Sequence, residues 1–256
     1  MILSVKDLCI GYNKSLVLED LNFSVDPGDM LTILGPNGVG KTTLLKCINR
    51  ILTPSKGAVM VEDADVFRMG AGEIAKRLGY VAQKSEAGRM TAFDAILLGR
   101  KPYLRWKVSD YDLKVVDSAI RHMGLDHLAL RHIDQMSGGE LQKVCIARAL
   151  VQEPTVILLD EPTSSLDLKN QLEIMRTIKH VVKEHNIAAV MTMHDLNMAF
   201  RFTDKFLFLK EGKIFHHGIC QELKAGIVKD VYDVEVEIIT HNGQLVIIPI
   251  GTDSLN

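Results

Sequence analysis

Polar Ser4 and Lys6 alternate with apolar neighbours at the start of the chain, the period-two pattern of a half-buried strand. Gly11-Tyr12-Asn13-Lys14 brings in turn formers, and a second β-rich run from Leu16 to Val25 completes what reads as an antiparallel hairpin layer. Beyond the turn Asp26-Pro27-Gly28-Asp29 comes Met30 to Leu34, a short apolar run of the kind buried on both faces of a parallel sheet. Two similar runs follow later, Val156 to Leu159 and Ile187 to Met191. Between them, Asp167 to His185 carries helical spacing at Leu172, Met175, Ile178 and Val182. Strand, crossover helix, strand is the unit of a parallel sheet, so the chain is expected to be α/β. The stretch before Val156 has almost no strand pattern, and Leu97-Leu98, Val115-Val116, Ile120 and Met123 space as helices; residues 84–154 therefore read as an inserted helical subdomain. Past His194, Phe206 to Leu209, the turn at Lys210 to Lys213, and Ile214-Phe215 predict a strand pair closing the sheet edge. Val234 to Ile239 and Leu245 to Ile250, around His241-Asn242-Gly243, predict a small C-terminal hairpin with no evident chemistry.

Composition narrows the function classes. The 256 residues are 47% hydrophobic and 24% charged, which excludes disorder, collagen and coiled coil. Thirty Lys+Arg against 32 Asp+Glu leave a net charge of −2, with no basic field to release counterions, so nucleic acid is not an expected partner. The longest apolar run is Ile187 to Met191, far short of the ~20 residues of a spanning helix, and Lys6 and Asp7 interrupt the first ten residues. The expectation is a chain neither secreted nor membrane-spanning. Cys9, Cys47, Cys145 and Cys220 are far apart with no CxxC, which suits four reduced thiols in a cytoplasmic compartment.

Gly35-Pro36-Asn37-Gly38-Val39-Gly40-Lys41-Thr42 fits G-x-x-x-x-G-K-[ST] without mismatch. It follows a buried strand and precedes Thr43 to Ile48, a good helix, so backbone N–H groups of Gly38 to Thr42 can converge on an anion at a positive helix end. Gly35, Asn37, Gly38, Gly40, Lys41, Thr42 and Thr43 are the expected nucleotide contacts, with Lys41 on the β- and γ-phosphates and the Thr42 hydroxyl on Mg²⁺. A nucleoside triphosphatase needs a further carboxylate at the metal, and Asp160, ending the run Val156 to Leu159, supplies it. Glu161 projects differently and is available as general base for the attacking water. Ser137-Gly138-Gly139-Glu140 opens another apolar-periodic helix. It is a capping box, and its two glycines also leave N–H groups open to a phosphate, making a second anion site in one chain.

These motifs together resemble the nucleotide-binding subunits of ATP-binding cassette (ABC) transporters, over residues 1 to about 220 and in the family's order. Gly35 to Thr42 resembles Walker A, Val156 to Asp160 Walker B, and Met136 to Glu140 the LSGGQ signature, with Met and Glu replacing its Leu and Gln. Gln83 falls where the Q-loop glutamine does, Ser164-Ser165-Leu166-Asp167 resembles the D-loop, and His194 the switch histidine. Tyr12 lies where the family stacks an aromatic on adenine. The resemblance implies a P-loop NTPase (RecA-like) core with an antiparallel β layer over 1–83 and 155–220. The helical subdomain would cover 84–154 and a C-terminal extension 221–256, all within one ABC ATPase domain.

It also implies a use for two anion sites, because cassettes pair head to tail. ATP lies between one chain's Walker A and its twin's Ser137, Gly138, Gly139 and Asp167 in trans; Gln83 touches Mg²⁺ and the lytic water, and His194 the γ-phosphate and Glu161. Partners implied are a second copy, integral-membrane permease subunits and, indirectly, an extracytoplasmic substrate-binding protein, with this chain peripheral on the cytoplasmic face. Gly11-Tyr12, Leu98-Gly99-Arg100, Pro102-Tyr103 and Val231 to Glu235 look most like importers of iron–siderophore, haem or cobalamin. Molybdate or tungstate import, and a soluble cofactor-assembly ATPase, are the alternatives. The segment Leu98 to Tyr103 with Arg105-Trp106-Lys107 mixes charge and aromatics in a way that suits a partner groove or anionic lipid, or else a solvated loop with Trp106 packed inward.

Overall fold

Three layers follow from the burial pattern of the strands. The computed structural model describes residues 1–12, 15–83, 88–104, 106–164 and 166–250, and of Tyr12 only the backbone. In chain order the elements are β1 (Leu3–Tyr12), β2 (Ser15–Val25), β3 (Met30–Leu34), α1 (Lys41–Ile48), β4 (Lys56–Val61), β5 (Ala64–Asp65), α2 (Ala71–Arg77), β6 (Leu78–Val81), α3 (Ala92–Leu97), α4 (Asp110–His122) and α5 (Gly138–Leu150). Then come β7 (Val156–Asp160), α6 (Leu168–Glu184), β8 (Ala188–Thr192), α7 (Leu196–Phe202), β9 (Lys205–Lys210), β10 (Lys213–Ile219), α8 (Ala225–Tyr232), β11 (Val236–His241) and β12 (Gln244–Pro249).

The central sheet has the order β10-β9-β3-β8-β7-β6, parallel throughout except for the antiparallel edge strand β10. β3, β7 and β8 are buried at every position, as their unbroken apolar runs require when both faces are covered. Alternate residues serve different layers. Leu31, Ile33, Val156, Leu158, Val190 and Leu207 pack against α1 and the outer sheet β2-β1-β4-β5. Met30, Ile157, Leu159, Met191, Phe206 and Phe208 pack with the helices on the opposite side. Between Thr91 and Val151 the described chain is helical apart from turns and one isolated bridge, Thr91 to His132.

Because β3, β7, β8 and β6 are parallel, their carboxyl ends lie along one edge, the place where open α/β sheets hold ligands. Residues 35–40, 160–161, 192–194 and 82–83 all leave the sheet there. The C-terminal hairpin is present as β11-β12, but the segment before it is a helix, α8, which the sequence pattern did not suggest. Among the described residues no helix is long and apolar enough to cross a membrane.

Candidate active site

The loop between β3 and α1 is shaped by what a side chain could not do. At Gly35, with φ at 143°, a Cβ would lie 2.4 Å from the Leu209 carbonyl oxygen, and at Gly40, with φ at 110°, 2.7 Å from Leu18 Cδ2. Only glycine fits either position. Gly40 is also the N-cap of α1 and offers it no side-chain bond, so the first N–H groups of α1 face the loop without a cap. Lys41 is buried, and its Nζ donates to the carbonyls of Gly35 (2.7 Å) and Pro36 (3.1 Å). Burial lowers its pKa, while the nearby charges of Glu161 and Asp160 oppose that shift. Asn37 and Gly38 form the exposed tip, with Thr42 and Thr43 half-buried behind them.

One oxygen organises the next group. Asp160 Oδ1 accepts from Thr42 Oγ1 at 3.0 Å and from Thr192 Oγ1 at 2.7 Å, while Thr192 Oγ1 itself accepts from the Glu161 N–H at 2.9 Å. Asp160 and Thr192 are register partners at the ends of β7 and β8, which is why the hydroxyl reaches the carboxylate. Glu161 then turns out of the strand with φ at 50°, its carbonyl accepting from the Ser164 N–H (3.1 Å) and hydroxyl (3.0 Å). That left-handed turn sends its side chain away from Asp160, toward Gln83 and His194. Gln83 Nε2 donates to Glu161 Oε2 at 2.5 Å, and His194 Nε2 pairs with Oε1. Both oxygens of Glu161 are thereby held, one by a residue following β6 and the other by a residue following β8, so three strand ends meet at this carboxylate.

The donor set suits the groups that the sequence anticipated. An uncapped helix start beside a buried ammonium fits a polyphosphate. A carboxylate joined to a threonine hydroxyl offers the hard oxygens that Mg²⁺ takes beside phosphates and water, so Thr42 and Asp160 would hold that ion. Gln83, also expected at the metal, is bonded to Glu161 instead.

A sequence model of the ABC transporter family matches residues 18–164. The chain belongs to that family. It is 47% identical over 251 residues to an uncharacterised ABC transporter ATP-binding protein of Methanocaldococcus jannaschii, covering 98% of this chain and 99% of that protein. To the iron(3+)-hydroxamate import ATP-binding protein FhuC of Bacillus subtilis it is 37% identical over 242 residues, covering 93% of this chain and 90% of FhuC. Among solved structures, an inward-facing conformation of a candidate metal-chelate type ABC transporter superposes with a TM-score of 0.85 at 29% identity, covering 98% of this chain and 97% of that one. A dimeric post-hydrolysis state of an ATP-binding cassette bound to ADP and Pi gives a TM-score of 0.77 at 27% identity, covering 86% and 100%. The α/β fold is accordingly the P-loop NTPase fold of ABC cassettes.

Within this ABC cassette the remaining predicted residues form a second locus. Ser137 caps α5, its hydroxyl accepting from the Glu140 N–H at 3.3 Å, while Glu140 Oε2 accepts from the Ser137 N–H at 2.8 Å and hydroxyl at 2.9 Å. These bonds hold the Glu140 carboxyl below its usual range and turn it back onto Ser137. Asp167 caps α6 by accepting from the Asn170 N–H at 2.8 Å, and Asn170 lies against Gly139, so the two helix starts are neighbours. Among the described residues no hydrogen bond joins Ser137, Gly138, Gly139 or Asp167 to the 35–43 loop. Tyr12 ends β1 opposite Ser15, and its side chain lies outside the described residues, as does Ser165.

Two readings of the 98–107 segment change. Arg100 is only 1% exposed and is a structural cation: its Nε meets Asp112 Oδ1 at 2.8 Å and its Nη1 the Val151 carbonyl at 2.7 Å and Glu153 Oε2 at 2.6 Å. Trp106 is fully exposed rather than packed inward, and Arg105 lies outside the described residues. Sequence reasoning missed Thr192 and Tyr232, whose hydroxyl accepts from the Gly35 N–H at 2.8 Å. Thr192 left a signal, a hydroxyl in the wholly buried run Ala188 to Thr192 two residues before His194; Tyr232 lies in the Val231 to Glu235 segment that resembles importers, but nothing in its local sequence ties it to the phosphate loop.

Proposed function

We propose that this chain is the ATP-hydrolysing subunit of an importer, working as a homodimer on the cytoplasmic face of a membrane. It powers uptake of a metal chelate of the iron–siderophore, haem or cobalamin kind through separate permease subunits fed by an extracytoplasmic binding protein. The observation that carries the reading is the Glu161 carboxylate, suspended between Gln83 and His194 beside the Asp160–Thr42 pair. The chelate class rests on the import protein FhuC and the metal-chelate type transporter as relatives.

Lys41, now resting on the Gly35 and Pro36 carbonyls, exchanges them for the β- and γ-phosphate oxygens, and the N–H groups of Gly38 to Thr43 surround the same phosphates. Thr42 and Asp160 would hold Mg²⁺, which would supply charge neutralisation for the phosphates. Glu161 takes a proton from a water whose oxygen attacks the γ-phosphorus in line, as the bond to the bridging oxygen of ADP breaks. Gln83 and His194 fix the Glu161 carboxylate, and His194 also meets the γ-phosphate. Ser137, Gly138, Gly139 and Asp167 complete the twin's site, which accounts for their separation from their own loop. Closure of the pair brings these donors to the charge and excludes water. Tyr12 stacks on adenine.

Glu161→Gln tests this in the full chain. Phosphate release with Mg²⁺ and ATP should fall by about 10² or more, the contribution of a positioned base, while ATP binding persists and scattering reports paired chains. Near-normal turnover removes Glu161 from its role; solitary particles, both free and beside a co-purified permease, overturn the dimer. Chelate uptake that survives deletion of this chain's gene overturns the transport reading.

A further inference from the structure

The C-terminal segment reaches the phosphate loop. α8 ends at Tyr232, where Asp233 adopts φ of 57° and its N–H returns to the Lys229 carbonyl at 2.8 Å. The helix end is fastened to the central sheet by Lys210 Nζ, which donates to the Asp230 carbonyl at 2.5 Å from the end of β9. The Tyr232 ring stands edge-on to Phe208, with centroids 6.1 Å apart and planes at 81°, so its direction is set by packing. Burial pushes the phenol up to about 12, which keeps it neutral at working pH.

At the far end of that ring lies Gly35, where β3 gives way to the loop. Its N–H donates to Tyr232 Oη at 2.8 Å, its carbonyl accepts from Lys41 Nζ at 2.7 Å, and the Leu209 backbone closes the third side. Tyr232 and Lys41 therefore hold the two peptide groups on either side of the residue that aims the loop. Lys41 leaves its carbonyl when it turns to a phosphate; Tyr232 has no such competing task. The hairpin that follows is clamped next to the switch histidine. Asn197 mimics a strand partner, donating from Nδ2 to the Ile247 carbonyl (3.1 Å) and accepting at Oδ1 from the Ile247 N–H (2.7 Å), three residues after His194. The extension is thus anchored at both ends of the site.

We propose that Tyr232 is a positioning residue for nucleotide binding: its hydroxyl fixes the peptide entering the phosphate loop, so the loop is organised before nucleotide arrives. The inference rests on the reading of the Gly35 to Thr42 loop as the ATP site. Without the bond, a part-buried N–H loses its acceptor and the loop spends part of its time misaimed, which weakens binding by the fraction of chains so affected.

Tyr232→Phe keeps the ring on Phe208 and removes only the acceptor. Equilibrium binding of ATP and of ADP to the full chain should weaken by about three- to tenfold, the worth of one neutral hydrogen bond. The loss should appear in Kd and KM rather than in kcat. A packing role would instead lower the melting temperature and leave the affinity of the folded protein unchanged, and that result overturns the proposal. Hydrogen exchange gives a second readout that needs no variant to fold: the Gly35 amide of the natural chain should exchange slowly without nucleotide, and free exchange there also overturns it. A natural chain that binds no ATP sinks the ATP reading. One that binds ATP while Tyr232→Phe binds equally well sinks the Tyr232 proposal alone.

Discussion

Thr192→Val is the sharpest test of how the two acidic residues are told apart. The hydroxyl is fully buried, donates to Asp160 Oδ1 at 2.7 Å and accepts from the Glu161 N–H at 2.9 Å. Valine preserves the shape and removes both bonds. A hydrogen bond to a charged group contributes about 1.5–3 kcal/mol, and a buried donor left unpaired costs about 1–3 kcal/mol. Asp160 retains Thr42 as a donor at 3.0 Å, so the low ends apply and the native state should lose about 2.5 kcal/mol. The part that reaches catalysis is the Glu161 N–H bond, because it helps hold a left-handed residue that aims the carboxylate at Gln83 and His194. If that low-end contribution of about 1–1.5 kcal/mol is lost in the transition state, kcat falls about 5- to 10-fold. Phosphate release at saturating ATP and Mg²⁺, with a denaturant melt alongside, measures both quantities. Thr192→Ser, which keeps the hydroxyl, should recover most of each. A Thr192→Val protein that melts earlier yet turns over at the natural rate refutes the positioning role.

Two further predictions concern stability. Arg100→Met should cost about 3–5 kcal/mol in a urea melt, since it strands the buried Asp112 carboxylate; adding Asp112→Leu should recover much of that, and a single variant as stable as the natural chain contradicts the assignment. Bonds from the Ser109 hydroxyl and N–H, followed by Arg100, hold the Asp112 carboxyl below its usual range. The folded value lies below the unfolded ~3.9, so this stabilisation is complete above about pH 4 and is lost as pH falls toward the folded value. Melting temperature against pH should accordingly show a shallower acid limb in Asp112→Asn, and an unchanged limb rules the linkage out.

Local pattern was enough for whatever depends on neighbours in the chain. Glycines at 35 and 40, the apolar run before Asp160, the cap at Ser137 and the hairpin at Gly243 each declare themselves within a few residues. Strand burial on two faces needs no side-chain alternation, so β3, β7 and β8 stood out as continuous apolar runs. The helices α7 and α8 did not stand out: they are short, at seven and eight residues, and owe their existence to packing on β9 and the terminal hairpin.

What the amino-acid order determined alone is the inventory of the candidate site: a phosphate loop, two acidic residues of different direction, a glutamine, a histidine and a second helix start, capped by Ser137 and rich in glycine. Tertiary structure decided which of them touch. Asp160 meets Thr192 because β7 and β8 are parallel and in register, Gln83 meets Glu161 across 78 positions, and Gly35 meets Tyr232 across 197. It also turned Arg100 from a surface cation into a buried tie, because Asp112 and Glu153 come to it from other elements. The physical reason is range: turns, caps and burial periodicity are settled by residues a helical turn or a strand step away, whereas a hydrogen bond of 2.8 Å between distant residues exists only once the whole sheet has set its strand order.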